Sequence, residues 1–462
     1  MRIAILIEQC VERITLMSKE KTMNMTEGSP VRLLILFAIP MMIGNIFQQL
    51  YNVVDSAIVG RLVGADALAA VGATGSVTFL FFALCNGIGS GGGIITSQYF
   101  GSGETPQVKK CIANVAYIMI IFPLMVGTIA FLLTEPLLVL LETPKSILPD
   151  AITYMRMMCL GLAFVSLYNY VSSMLRAMGD SKTPLYFLIF SCILNTILDY
   201  VFVKYFHWGV MGAALATLIS QFSSGVLCLL YAFRYNAYFK LGWEDLQFDA
   251  IIVKKAIRIG IPLSLQFSLI AISCMALQRV VNTFGEVTMA AFTATSRIEQ
   301  LIHQPYQTLS AALSTYTGQN YGAKKMDRLV QGYRKSMLLM VCFTILMVPV
   351  MQLFGSQITS IFVEETEVIE MGAAALRITS LFYVFLGVIY MVRGVLNGIG
   401  DAFFALLNGI VEVIGRFVVP IALTMIPAIG LWGIWWSVGV VWFFSGFTAW
   451  LRYLWIKKRM ID

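Results

Sequence analysis

Charged side chains are scarce in this sequence. Only 12% of its 462 residues are Asp, Glu, Lys or Arg, about half the share of an ordinary soluble domain. A soluble fold of this length could not cover its surface with so few, which excludes soluble enzymes, nucleic-acid binders and disordered chains. Histidine occurs twice, as His207 and His303, far apart in sequence. No metal-ligand spacing, Ser/His/Asp set or nucleotide loop is visible either, so an integral-membrane enzyme lacks a catalytic constellation. The eight cysteines make no Cys-x-x-Cys pair and lie mostly in apolar stretches, as buried inert thiols do. No segment alternates polar and apolar residues as a membrane β-barrel requires. The apolar run Ile3–Ile7 is too short for a signal peptide, and no small-residue cleavage site follows it.

What the chain has in abundance is apolar length. Apolar residues make up 58% and the mean hydropathy is +0.80. A helix crossing the hydrocarbon core needs roughly 20 such residues. The long charge-poor stretches predict twelve spans, at about 33–59, 67–97, 108–134, 152–174, 184–206, 209–233, 256–283, 287–317, 328–355, 368–396, 402–426 and 430–455. Most of the 32 Lys and Arg residues fall in the N-terminal segment, the loops after spans 2, 4, 6 and 8, and the C-terminus. The opposite loops hold little beyond Arg61, Lys145 and Lys204, with the acidic run Glu364, Glu365, Glu367, Glu370. That asymmetry predicts cytoplasmic termini and makes the net charge of +7 a topology signal.

The sequence repeats itself. Pro40 pairs with Pro262, and at a shift of 221 Gln98 and Gly101 match Gln319 and Gly322, while Gly179 and Asp180 match Gly400 and Asp401. Gly209 and Gly212 match Gly430 and Gly433 on the same shift. Two six-helix halves that both enter from one side form a parallel repeat, the arrangement of carriers with a site between two halves. The Gly-rich run Gly87–Gly93 lies within a span and is not followed by a phosphate-loop lysine, so it predicts close helix packing or a flexible second span.

Ionisable groups inside the membrane need a reason, because each costs at least about 2.5–3.5 kcal/mol on insertion scales. Asp55 lies in span 1 behind Gln48, Gln49, Tyr51 and Asn52; span 5 carries Asn195 and Asp199 on one face, and span 6 carries Thr217 and Gln221. Two carboxylates, an amide and a hydroxyl at similar depth suit one small cation or two protons; solvated caps near the interface are the plainer alternative. The second half does not repeat the cluster: Asp55, Asn195, Asp199 and Thr217 become Leu277, Arg416, Pro420 and Val438. Glu412 and Arg416 are spaced for an ion pair. Glu299 and His303 share a face of span 8, where they could pair with each other or face a cavity and attract a cationic ligand. Pro40 allows span 1 to kink. Such kinks are ordinary in membrane helices, but this one could bend the span as Asp55 gains or loses a cation.

These residues resemble the multidrug and toxic compound extrusion (MATE) transporters over about residues 25–455. The resemblance rests on Pro40, on Asp55-Ser56-Ala57-Ile58-Val59-Gly60-Arg61 and on Asn195-Thr196-Ile197-Leu198-Asp199. It rests also on Gly179-Asp180-Ser181-Lys182-Thr183-Pro184, Gln304-Pro305 and Gly318-Gln319-Asn320-Tyr321-Gly322. The bacterial branch with its acidic site in the N-terminal lobe is the most similar. The resemblance implies twelve helices in two six-helix lobes forming a V, and drug export against inward flow of Na⁺ or H⁺. It implies a cation site at Asp55, Asn195, Asp199 and Thr217, with Gln48, Tyr51 and Asn169 lining the N-lobe cleft. One departure stands out. Leu263–Leu277, after Pro262, contains no acid, which argues against coupling through span 7.

The expected fold is therefore an all-α polytopic membrane protein, with twelve transmembrane helices in two pseudo-symmetric six-helix lobes. Residues 1–30 are expected as a cytoplasmic tail, 31–233 as the N-lobe, 234–255 as an amphipathic cytoplasmic linker, 256–456 as the C-lobe and 457–462 as a second tail. Residues 1–24 could also precede a later start at Met17, Met23 or Met25. The expected activity is secondary active efflux of amphipathic cationic drugs or toxic metabolites in exchange for Na⁺ or H⁺. It would need no other cofactor and no nucleic acid, and would be carried out by a monomer in a bacterial inner membrane. Gln48, Tyr51, Asn169 and Glu299 are expected along the substrate path. A lipid-linked oligosaccharide flippase on a similar scaffold is the alternative, and it would want a strongly basic cavity. A major-facilitator carrier would want a basic motif where the loop after span 2 reads Gly-Ser-Gly-Glu-Thr-Pro-Gln.

Overall fold

The computed structural model describes residues 22–461; residues 1–21 of the expected N-terminal tail and Asp462 lie outside the described residues. The N-lobe comprises α1 (Pro30–Leu62), α2 (Ala65–Ser102), α3 (Thr105–Leu140), α4 (Leu148–Ala177), α5 (Lys182–Tyr200) and α6 (Gly209–Tyr235). The C-lobe comprises α7 (Ala250–Val281), α8 (Glu286–Gly322), α9 (Met326–Thr359), α10 (Thr366–Ser380), α11 (Tyr383–Ile399), α12 (Ala402–Thr424) and α13 (Gly433–Ile461). No strand occurs among the described residues. A bilayer core gives backbone groups no water, so each span closes its hydrogen bonds within its own helix.

Among the described residues ten helices are long and apolar enough to cross a membrane, and the α10–α11 pair, bent by 53°, makes an eleventh if it is taken as one span. The bend is tertiary in origin. At the break, Phe382 N–H donates to the Thr379 carbonyl at 3.0 Å, a tightened turn. The Phe382 ring fills space that a Cβ on Gly439 would occupy, 2.2 Å from its ring atoms. The twelfth predicted span, α8, is 37 residues long yet too polar to pass as a span on composition. One long face of it is buried against protein, from Thr288 through Thr295, Ile302 and Tyr306 to Asn320, as a polar helix at membrane depth requires.

The repeat is written into the backbone. Gly64 and Gly285 begin α2 and α8 with φ of 132° and 88°, and Gly179 and Gly400 turn the chain with φ of 87° and 90°. These left-handed conformations favour glycine in both copies. The two lobes meet where α2 crosses α8 at the end that carries the termini. A Cβ on Gly101 would sit 1.8 Å from the Gln319 carbonyl oxygen, and a Cβ on Gly322 would sit 1.8 Å from that of Gln98. The glutamines reach across the crossing in matching fashion. Gln98 Nε2 donates to the Gly398 carbonyl at 2.9 Å, and Gln319 Nε2 to the Ala177 carbonyl at 3.0 Å. Each donor and each acceptor is the repeat mate of the other. The Gly-rich run serves close packing: Gly87 and Gly91 press against Ser264 and Gly260 of α7, Gly92 against Val115 of α3 and Gly93 against Ser173 of α4.

Residues 22–29, expected as part of a tail, dock at this same crossing. Met25 is fully buried; its N–H donates to Gln319 Oε1 at 2.8 Å and its carbonyl accepts from Asn320 Nδ2 at 3.1 Å. Arg328 holds the Gly28 carbonyl at 3.0 Å, while the Met23 backbone packs on Gly179 of the other lobe. The inter-lobe segment folds as a 3₁₀ turn (Ala237–Phe239) and further turns tied to α3. Asn114 donates to the Gln247 carbonyl at 3.1 Å and accepts from Asp249 N–H at 2.8 Å.

The crossing should tolerate no Cβ. Gly101→Ala or Gly322→Ala is expected to lower stability by about 1–3 kcal/mol, the usual penalty of overpacking. It should also widen the distance between spin labels placed across this end. Gly72→Ala, on the same α2 with open space around it, should be neutral or stabilise by about 0.5–1 kcal/mol. Equal melting curves for the three variants in detergent would contradict this account.

Candidate functional site

The N-lobe gathers the predicted cation-site residues from three helices. Asp55 lies on α1 a short way before its end, Asn195 and Asp199 lie one turn apart on α5, and Thr217 lies on α6. Asn195, Asp199 and Thr217 are buried, and Asp55 is half-buried. Asn195 Nδ2 donates to Thr217 Oγ1 at 3.3 Å, and the Tyr51 hydroxyl lies 3.4 Å from the same oxygen. The Asp55 and Asp199 carboxyl groups are within electrostatic reach of each other. Just past Asp199 the backbone loosens into a π-turn, Val201–Tyr205, a feature that often marks functional positions. The apolar interior is interrupted here, with Val59, Tyr154 and Val203 forming a separate cluster at its edge.

The donor set has a clear chemical character. Asp55 Oδ1, Asn195 Oδ1 and both carboxylate oxygens of Asp199 are buried and have no hydrogen-bond partner. Buried polar atoms are almost always paired, and an unpaired carboxylate is far more costly than a neutral group. Four such oxygens in one place fit a hard cation, which takes oxygen ligands, or protons. Thr217 Oγ1, already accepting from Asn195, has a second lone pair to offer. The set contains two acids and no His or Cys, so a site for a softer transition metal is not built here.

The remaining predicted residues spread along the interior. Tyr51 belongs to the cluster. Gln48 lies two helical turns before Asp55 on α1, and Asn169 on α4; both are half-buried and neither joins the Asn195–Thr217–Tyr51 hydrogen bonds. Pro40 is buried within an unbroken α1. Its missing N–H frees the Leu36 carbonyl four residues earlier, leaving α1 easy to bend at that level. Beyond it, Asn45 Nδ2 donates to Gln304 Oε1 of α8 at 2.9 Å, the hydrogen bond that joins α1 to the C-lobe at mid-length. Tyr154 of α4 was not singled out by sequence, yet it faces both Asp55 and Asp199. A lone tyrosine in an apolar span gives no signal of its own; only packing brings it there.

Glu299 sits in the other lobe. The C-lobe closes Arg393, Glu412 and Arg416 into a buried triad. Arg393 Nη2 donates to Glu412 Oε2 at 2.9 Å and Arg416 Nη2 to Glu412 Oε1 at 2.9 Å; Arg393 Nε also donates to Asn408 at 3.0 Å. Sequence spacing gave the Glu412–Arg416 pair and missed Arg393, which lies 19 residues from Glu412. Arg416 is the repeat mate of Asn195, so a tethered guanidinium stands where the N-lobe places an amide of the cation cluster. Glu299 and His303 do not pair: Glu299 Oε1 and His303 Nε2 are both buried without a partner.

Comparison with known proteins identifies the family. The MatE family model matches residues 40–201 and again 262–426, once per lobe. A relative named "Probable multidrug resistance protein YpnP", from Bacillus subtilis (strain 168), is 29% identical over 439 residues, covering 94% of this chain and 97% of the relative. A Pyrococcus furiosus structure described as that of a MOP superfamily transporter whose binding pocket has reverse polarity superposes with a TM-score of 0.88 at 25% identity, over 96% of this chain and 100% of that one. A structure described as MATE in the bent conformation superposes with a TM-score of 0.87 at 25% identity, over 94% and 97%. With its double six-helix fold and the family match in both lobes, this chain belongs to the MatE family of membrane transporters.

Proposed function

We propose that the chain is a multidrug efflux antiporter that exports amphipathic cations in exchange for Na⁺ or H⁺ taken up at Asp55, Asn195, Asp199 and Thr217. The observation that carries this reading is the set of four unpartnered buried oxygens shared by Asp55, Asn195 and Asp199. An inbound cation would relieve the repulsion between the two carboxylates and draw α1 toward α5 and α6, with Tyr51 and Asp55 as its handles. α1 is suited to this movement. Its far half presents Leu50, Val53 and Val54 outward, and Pro40 gives it a point of bending. As α1 closes on the N-lobe, the space beside Gln48, Tyr51 and Asn169 shrinks and the bound drug is expelled. Glu299 supplies a carboxylate for the cationic end of the drug on the C-lobe side. The name of the multidrug resistance relative supports drugs as the substrates. The protein would act as a monomer in a bacterial plasma membrane with its termini in the cytoplasm, as the distribution of bases indicates. A flippase for anionic lipid-linked sugars is less well supported, because Glu412 already engages Arg393 and Arg416.

Efflux of a fluorescent cation from proteoliposomes, under separate Na⁺ and pH gradients, tests this reading. Asp55→Asn is expected to reduce gradient-driven efflux by about tenfold or more, a factor worth ~1.4 kcal/mol, at unchanged protein levels. Wild-type rates in that variant would remove Asp55 from the coupling site. Thr217→Val keeps the volume but deletes one oxygen and leaves Asn195 Nδ2 without its acceptor. The concentration of coupling ion at half-maximal rate should rise by roughly five- to tenfold, the scale of one lost polar contact. An unaltered half-saturation would take Thr217 out of the ion's shell.

A further inference from the structure

The segment that joins the lobes carries apolar side chains that the rest of the chain leaves uncovered. Trp243 is 91% exposed, Phe248 69%, and Ile251, in the first turn of α7, 66%. Yet the segment is firmly held. Phe239 is fully buried, in the same core cluster as Val115 of α3 and Ile252 of α7. The Tyr117 hydroxyl donates to the Leu246 carbonyl at 2.6 Å, next to the two Asn114 bonds already described. Asp245 accepts from the Gly242 N–H at 2.8 Å and lies 3.9 Å from Lys109 Nζ. The backbone is thus fastened to α3, and the large apolar groups are left on the outside.

The depth of the segment follows from its partners. The last base of α3 ahead of its charge-free run is Lys110, and the last base of α7 ahead of its own is Arg258. Asn114 and Tyr117 lie about 6 and 10 Å beyond Lys110 along α3, at 1.5 Å per residue. Residues 246–249, bonded to those two side chains and preceding Arg258, therefore sit in the headgroup layer where α3 and α7 enter the bilayer. Non-helical backbone at that level needs partners from the protein, and Asn114 and Tyr117 supply them. Tryptophan favours the same layer, because its ring is apolar at one end and polar at the other.

Charge points the same way. Residues 234–258 hold the bases Arg234, Lys240, Lys254, Lys255 and Arg258 against Glu244, Asp245 and Asp249. All five bases are exposed. Of the acids, Asp245 is turned to Lys109, and Asp249 caps α7 by accepting from the N–H groups of Ile251 and Ile252 at 2.9 and 3.2 Å, which leaves Glu244 as the exposed one. An apolar and basic surface at headgroup depth is complementary to an anionic leaflet, which a membrane protein already touches without recruiting a further partner.

We propose that residues 240–251 form a docking site for anionic phospholipid headgroups, in the leaflet on the side of the termini. Trp243, Phe248 and Ile251 enter the interface, and Lys240 and Lys254 engage the phosphates. The site needs neither a drug nor a coupling ion. It also bears on how the lobes move. The Asp249 N–H, held by Asn114, ties the start of α7 to the N-lobe helix α3, so a docked segment holds both at one depth in the leaflet.

The test uses the full-length protein in lipid nanodiscs. The emission of Trp243 is read as the difference between the wild type and Trp243→Phe, a change at an exposed position that leaves the core intact. In discs of phosphatidylcholine brominated on its acyl chains and mixed with phosphatidylglycerol, this difference emission should be blue-shifted and largely quenched. A water-like emission, or one that brominated chains leave unquenched, overturns the proposal, whether solvent, a second copy or a soluble protein covers Trp243 instead. The lipid class is read from melting. Equimolar phosphatidylglycerol and phosphatidylcholine should raise the melting temperature over phosphatidylcholine alone. That rise should fall by about half or more in Lys240→Gln/Lys254→Gln, as expected for two lost contacts to an anionic surface. Arg334→Gln/Lys335→Gln, which removes two exposed bases from α9, should keep it. No rise in the wild type, an undiminished rise in the first variant, or equal losses in both variants overturns the site.

Discussion

Within a bilayer core a polar atom has no water to fall back on, so it must find its partner inside the chain or bind something from outside. That constraint organises this molecule. The backbone meets it with helices, and the packing of those helices meets it with a small number of side-chain hydrogen bonds at fixed crossings. Gln98, Gln319 and Asn320 all spend their amides on carbonyls at the end where the termini dock. Arg393 and Arg416 spend their guanidinium groups on Glu412. Hydroxyls such as those of Ser166, Ser172 and Ser336 also stay open, but an unpaired carboxylate costs far more than a neutral group, so Asp55 and Asp199 mark where the molecule leaves room for a ligand.

Two lobes built on one backbone plan treat that constraint in different ways. Glycines in left-handed conformations recur at matching positions, and the glutamine pair repeats to within 0.1 Å in its hydrogen-bond lengths. The interiors have diverged. Where the N-lobe has Asn195 and Asp199, the C-lobe has Arg416 and Pro420; where α5 loosens into a π-turn, α12 runs on as a regular helix. The C-lobe thus carries much of its positive charge covalently, in Arg393 and Arg416, and can be packed as one large core around Trp435 and Trp442. The N-lobe lacks that internal cation. Its acids stay unpaired and its apolar interior is divided.

The sequence made the spans legible because charge-free runs report directly on hydrocarbon. It under-read their lengths: α2 and α3 extend to Ser102 and Leu140, past the apolar runs, since a helix continues through the polar interface once started and hydropathy falls silent there. The polar α8 was legible as a charge-poor stretch once single interrupting charges were allowed, although its composition falls short of a membrane span. The break between α10 and α11 was not legible, because no proline or glycine marks it and its cause, Phe382 against Gly439, lies on a distant helix. The cation cluster was readable from Asp55, Asn195 and Asp199, since acids in apolar spans announce themselves. Tyr154 and the Arg393–Glu412 bond were not, because neither residue's spacing points to its partner.

Closure at one end also decides the direction from which the N-lobe cluster can be filled. The α2–α8 crossing leaves less than the room of a methyl group between backbones, and Met25 seals its rim from beneath. No ion can pass there while that contact stands. Asp55 and Asp199 lie toward the far ends of α1 and α5, and the half of α1 that carries Asp55 lies beyond its hydrogen bond to Gln304. On the proposed reading, access to the open oxygens is expected from the end opposite the termini. In the proposed exchange this is the outward face, from which the coupling cation enters. The reverse state requires the crossing to separate, and with it both glutamine bonds and the Met25 contacts that straddle the lobes. The symmetry of the two glutamines makes that separation a single event: the same rotation that lifts Gln98 from Gly398 lifts Gln319 from Ala177.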